Sequence, residues 1–151
     1  MEASVAHAGT FPARRDEYGP VLASVLDAAR AADAAEVCRA GLRRLALRGQ
    51  FARLLRSIDL LLTPVHPFAP LTLDDIRTLG EQPELIADLQ RYTAPFDLTG
   101  NPTITIPGGF TGTGLPTGIQ LVAADQREDL LVAAATAFQQ QTSFHRRHPA
   151  A

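Results

Sequence analysis

The 151-residue chain contains no lysine, because all 14 of its basic residues are arginine. This absence excludes, for the chain acting alone, any mechanism that needs a lysine base, a lysine Schiff base or a phosphate-loop lysine. Tryptophan is also absent and there are only two tyrosines, so a base-stacking surface is not expected. With a net charge of −2 and no strongly basic face, the sequence predicts no nucleic-acid partner.

Long apolar runs are missing as well. No stretch approaches the roughly 20 apolar residues that a membrane helix needs, and the start, MEASVAHAGTFPARRDE, lacks the basic and apolar regions of a signal peptide. The single cysteine, Cys38, cannot form a disulfide within the chain, and we expect it to be a small buried group on a helix. The sequence therefore predicts a cytoplasmic protein without membrane contact.

The first third of the chain is predicted to be helical. Residues 1–17 have no clear period and are expected to form a loose lead-in. A helix follows the turn at Tyr18–Pro20, and a second one starts at a capping box that begins with Asp33. We expect the apolar stripes of these helices, which include Leu42 and Leu54, to pack on a sheet.

Three apolar segments are typical of strands, at 58–63, 103–106 and 118–123. Residues 93–102 are predicted to be turn-rich, and a last helix is predicted after a capping box that begins with Asp125. The pattern indicates an α/β or α+β fold. Because interior-type strands rarely form a complete sheet of three, it also indicates a fragment of a larger sheet.

Two stretches carry a resemblance to a known family. Residues 92–145 contain T-x-P-F-x-L-T-G-x-P, followed by P-x-G-x-x-x-x-G-L-P-x-G-x-Q-L, and residues 18–64 end in D-L-L-L-T-P. In this order and spacing they resemble the C-terminal part of the amidase-signature family. The resemblance implies a partial mixed sheet of about three strands flanked by helices, cut from a larger fold. It also implies an intact enzyme that cleaves carboxamide C–N bonds with a serine nucleophile, a second serine and a lysine.

None of those catalytic residues can be assigned to this chain. Its serines, Ser4, Ser24, Ser57 and Ser143, lie outside any Gly/Ser-rich context, and lysine is absent. A serine nucleophile needs an adjacent base to take its proton, and none is near in sequence. We therefore expect the chain to be inactive alone.

The resemblance places one segment beside the substrate pocket of the intact enzyme. Thr93, Phe96 and Asp97 are the substrate-binding residues that it implies. The family usually has asparagine where Asp97 stands. The alternative is that this segment is a purely structural turn that the carboxylate caps.

Other motifs favour structural roles. The glycine-rich segment Gly108–Gly114 lies between two strands, so we expect a hairpin connection and no phosphate site. His66 is expected to be a solvated loop residue, and the alternative is that it faces a pocket. His145 and His148 lack a third ligand nearby, and the sequence predicts neither a metal nor a cofactor.

The sequence as a whole predicts a lead-in over 1–17, an amidase-like part over 18–145 and a tail over 146–151. The expected partners are a small amide substrate, if an N-terminal half completes the enzyme, and either that half or a second copy of the chain. Three alternatives stay open: half of a split amidase, a stand-alone binding or scaffold module, and a small helical interaction protein.

Overall fold

A computed structural model describes residues 2–68 and 70–148. The chain forms two compact units, the first ending at Leu45 and the second starting at Ala46. The helices of the described residues are α1 (Glu2–Ala6), α2 (Pro20–Arg30), α3 (Ala34–Leu54), α4 (Leu73–Arg77), α5 (Pro83–Gln90), α6 (Ala94–Thr99) and α7 (Glu128–Gln141). The strands are β1 (Leu60–Pro64), β2 (Thr103–Phe110) and β3 (Pro116–Ala123).

The first unit has a small core of its own. Phe11, Ala23 and Leu26 are almost completely buried, and Tyr18 packs against them. The Tyr18 ring meets Phe11 edge-on, with centroids 5.4 Å apart, and its hydroxyl hydrogen-bonds with His7 and Thr10. This order differs from the loose lead-in predicted for residues 1–17. The rings of Phe11 and Tyr18 supply apolar area to this core. A search for helical periodicity does not detect such a contribution.

Two expectations about α3 are wrong. Leu42 is 67% exposed and Leu54 is 42% exposed, so neither side chain is buried. Cys38 is exposed, although we expected a buried thiol. Helical spacing identifies the residues that share a face, but it does not say what covers that face.

The second unit is built on a three-stranded sheet in the order β1-β3-β2. β3 pairs antiparallel with both neighbours, and Leu121 lies opposite Leu62 on one side and Ile104 on the other. The predicted three strands flanked by helices are therefore confirmed, and the described part of the sheet is entirely antiparallel. No further described strand pairs with the outer sides of β1 and β2.

The glycine-rich segment is a hairpin connection, as predicted, but β2 extends into it as far as Phe110. The register shifts between Pro107 and Gly109. A Cβ atom on Gly108 would lie 2.5 Å from Cγ2 of Ile119, so only glycine fits there without a displacement.

Helices cover the sheet of the second unit. α7 contacts β2 and β3, and Val122, Ala123, Leu131 and Ala135 are buried on these elements. α7 begins at Glu128 after Arg127, so the cap predicted at Asp125 is wrong.

Of the predicted tail, Arg146 ends a short 3-10 turn, and residues 149–151 lie outside the described residues. None of the described helices combines the length and hydropathy that a bilayer-spanning helix requires.

Candidate functional site

The segment predicted to bind substrate forms the short helix α6 instead of a series of turns. Thr93 is its N-cap residue, and the Thr93 carbonyl accepts hydrogen bonds from the amides of Phe96 (3.0 Å) and Asp97 (3.4 Å). The helix ends at Gly100, whose φ of 78° is left-handed and whose amide donates to the Phe96 carbonyl at 2.7 Å. Glycine adopts this terminating conformation without a steric cost.

The three predicted substrate-binding residues have different environments on this helix. Phe96 is 5% exposed and packs edge-on against Phe51, with ring centroids 5.5 Å apart. Asp97 is exposed in the first helical turn, where the helix dipole favours a carboxylate. Thr93 is half-buried. The fold thus fixes the helix through Phe96 and leaves Asp97 accessible.

Gln120 on β3 is a buried polar residue that the sequence prediction did not single out. It is 3% exposed, and its Nε2 donates to the Tyr92 carbonyl at 2.8 Å and to the Thr63 hydroxyl at 3.3 Å. The amide therefore joins β1, β3 and the residue before α6. Its signal in the sequence was a polar residue inside the apolar run G-I-Q-L-V-A.

A second amide side chain holds the far end of α6. Nδ2 of Asn101 donates to the Ala123 carbonyl at 2.9 Å, and its Oδ1 accepts from the Thr99 hydroxyl at 2.7 Å. The Ala123 amide donates in turn to the Pro102 carbonyl at 3.1 Å. α6 is thus bound to β3 at both of its ends.

A cavity of about 460 Å³ opens beside the end of the sheet. Its lining is mainly apolar and comes from Pro64, Val65, His66, Phe68, Pro70, Leu71, Ile76, Leu89, Pro116, Thr117 and Gly118. The residue after β1 approaches β3 closely here, since a Cβ on Gly118 would lie 3.0 Å from Cγ2 of Val65. This surface suits an uncharged group, and α6 contributes none of these lining residues.

His66 is an exposed loop residue, as expected, and it also lines this cavity, which was the alternative. Its ring stacks on Phe68, with centroids 6.0 Å apart and an interplanar angle of 6°. His66 is nevertheless an exposed residue.

The α4 helix, which contributes Ile76 to the cavity, starts with a capping box. The Thr72 hydroxyl donates to the Asp75 carboxylate at 2.6 Å and the Thr72 amide donates at 2.8 Å. These two bonds, the hydroxyl's first, lower the pKa of Asp75 below its usual value. The Asp75 carboxylate caps α4 and does not belong to the cavity lining.

Two of the serines, Ser24 and Ser57, hydrogen-bond to the backbone. The Ser24 hydroxyl donates to the Val21 carbonyl at 3.2 Å, and the Ser57 hydroxyl donates to the Leu54 carbonyl at 2.7 Å. Such bonds are local helix contacts. Within residues 2–68 and 70–148, no three histidine, cysteine or acidic side chains are placed to hold a metal ion.

Comparison with known proteins agrees with this architecture. The family model Amidase matches residues 8–132. The Mycobacterium tuberculosis protein AmiD, which is named as an amidase, is 44% identical over 149 residues. A glutamyl-tRNA(Gln) amidotransferase subunit from Microcystis aeruginosa is 36% identical over 106 residues. The structure of 6-aminohexanoate cyclic dimer hydrolase superposes on 89% of this chain with a TM-score of 0.77 and 22% identity, which shows a shared fold.

This chain is shorter than each of these proteins. The match covers 99% of this chain but 31% of AmiD, and 70% of this chain but 21% of the amidotransferase protein. The superposed part is 30% of the hydrolase chain.

Proposed function

Because the chain belongs to the amidase family, we propose that it forms the C-terminal part of an enzyme that hydrolyses a carboxamide C–N bond. The observation that carries this proposal is the 44% identity to AmiD across 99% of the chain. Residues 18–145 would be the part that enters the enzyme fold, and residues 1–17 and 146–151 would flank it.

The chemical step would belong to residues outside this chain. Lysine is absent from the sequence, and the Ser24 and Ser57 hydroxyls are bound to backbone carbonyls. We propose that the chain contributes to the substrate side, where Thr93 and Asp97 on α6 would contact the substrate. Phe96 would hold that helix in place through Phe51, with which it is in contact.

We also propose that the chain associates with the rest of the enzyme, or with a second copy when that part is missing. β1 and β2 have outer sides that no described strand pairs with, and such edges readily accept another strand. Leu62 on β1 is 61% exposed, so apolar side chains accompany the open backbone. The exposed, unpaired Cys38 is compatible with the reducing cytoplasm that we propose as the location.

A chimera tests the proposed function directly. The 149 matching residues of AmiD would be replaced by this chain. Ammonia release would then be measured over a panel of aliphatic and aromatic carboxamides. We expect the chimera to hydrolyse at least one amide that AmiD hydrolyses, because the two segments share the family's fold and motifs.

Two controls make the result specific: this chain alone, and AmiD without the replaced segment, which should both be inactive. A folded chimera that leaves every amide intact, beside an active AmiD, would contradict the proposal. Light scattering on the chain alone distinguishes an enzyme part from a stand-alone binding or scaffold module. A monomeric, cooperatively melting species of 16.2 kDa would favour that alternative over an enzyme part.

A further inference from the structure

We propose that Gln120 is a positioning residue, whose side-chain amide holds the start of α6 on the sheet and so places Thr93 and Asp97. The inference rests on the proposed function in so far as α6 is the substrate side. Gln120 itself would not touch the substrate, because it is 3% exposed within the described chain.

The side-chain amide of Gln120 is buried. A buried polar group is costly unless its hydrogen bonds are made, and Gln120 uses Nε2 for two of them. The shorter bond, at 2.8 Å, goes to the carbonyl of Tyr92, which directly precedes the N-cap residue of α6. Because the acceptor belongs to the backbone, the bond constrains the chain and leaves the Tyr92 side chain free to vary.

The other restraints on α6 act on different atoms. Asn101 binds the far end of the helix to Ala123, and the Phe96 ring in the first turn packs against Phe51. Neither contact binds the backbone just before Thr93, whose carbonyl accepts from the amides of Phe96 and Asp97. Gln120 therefore adds a backbone restraint at the end of the helix that carries the proposed substrate contacts.

A competing explanation is that Gln120 only fills space between the strands. Two variants distinguish the explanations. Gln120→Met keeps the length of the side chain but removes both donors. Thr63→Val is the matched control, because it removes the 3.3 Å acceptor and leaves the bond to Tyr92 intact.

The decisive measurement is amide hydrogen exchange on the full 151-residue chain. In Gln120→Met we expect the amides of Phe96 and Asp97 to exchange about tenfold faster, which corresponds to the loss of one buried hydrogen bond. The β2–β3 ladder amides should stay within about twofold of the parent, and Thr63→Val should leave α6 unchanged. Unchanged α6 exchange in Gln120→Met would overturn the inference, and so would an equal acceleration of α6 and the ladder.

Kinetics in the AmiD chimera give the functional readout. If the first turn of α6 contacts the substrate, Gln120→Met should raise KM about tenfold and leave kcat within about twofold. If Gln120→Met accelerates exchange in α6 but leaves KM unchanged, the inference that Gln120 places the substrate contacts would be overturned. Inactivity of the parent chimera would count against the proposed function, whereas the exchange measurement decides the anchoring of α6 in either case.

Discussion

Replacing Gly108 by alanine tests how closely β2 and β3 approach. The new Cβ would lie 2.5 Å from Cγ2 of Ile119 and 3.3 Å from both its Cβ and its Cγ1. Ordinary carbon–carbon contacts are about 3.5–4.0 Å, so the overlap is about 1 Å. Rotation about χ1 of Ile119 exchanges one branch for the other and does not move its Cβ, so the strands must separate.

The expected cost follows from two opposing terms. Forcing a methyl group into a packed site costs about 1–3 kcal/mol. Alanine also reduces the freedom of the unfolded chain, which stabilises the fold by about 0.4–1 kcal/mol. We expect Gly108→Ala to lower the free energy of unfolding of the second unit by about 1–2 kcal/mol. At about 2–4 °C per kcal/mol for a chain of this size, Tm falls by about 2–8 °C.

Urea unfolding followed by circular dichroism measures this change, with Gly112→Ala as the matched control. A Cβ on Gly112 meets no atom within 4 Å, so that variant should be neutral or slightly more stable. In an Ile119→Ala background, Gly108→Ala should cost less than it does in the parent, because both branches of the isoleucine are removed. If Gly108→Ala and Gly112→Ala unfold at the same urea concentration, the close approach of β2 and β3 is refuted.

Four further predictions address other parts of the chain. Leu26→Ala should lower the free energy of unfolding of the first unit by about 2–5 kcal/mol, because Leu26 is fully buried; unchanged amide exchange there would contradict this core. Cys38 should react with a thiol reagent in the native chain at one thiol per molecule, and slow reaction that needs denaturant would show burial. The pKa of Asp75 is lowered, so the Asp75 carboxylate stabilises α4 fully at pH values above the pKa of an unfolded aspartate. That stabilisation is lost as pH falls through the folded value, so Asp75→Asn should remove this pH dependence in an NMR titration. A fluorophosphonate should leave the purified chain unlabelled, and stoichiometric labelling of any serine with turnover would contradict the absence of a catalytic serine.

The strands could be located from sequence because each is a short apolar run with proline or glycine at one end at least. Their ends could not be located as well. β2 continues through Gly108 and Gly109 to Phe110, although glycine is typical of loops. Pairing with β3 stabilises an extended backbone that local preference alone would not predict.

The α6 helix was missed for a related reason. It has six residues, too few to show a helical period, and it contains Pro95 and ends at Gly100. Both residues are typical of turns, and both also suit the first and last positions of a short helix. The three residues that the resemblance to the amidase family assigned to substrate binding nevertheless lie on one element, α6 with its N-cap Thr93.

The role of Gln120 could not be derived from local sequence. Its partners are 28 and 57 residues away along the chain, at Tyr92 and Thr63. An isolated polar residue in an apolar strand predicts a buried hydrogen bond but does not identify the acceptor. The cavity depends on similar long-range proximity, because residues near Pro64 and Pro116 form its walls together.

The two side chains that bind α6 to β3, Gln120 and Asn101, are both carboxamides. A carboxamide neither gains nor loses a proton between acidic and alkaline pH, unlike a carboxylate or an imidazole. The placement of α6 should therefore be the same at every pH at which the sheet is folded. Any pH optimum of a completed enzyme would then report the groups that perform the chemistry, while the helix that carries Asp97 stays in position.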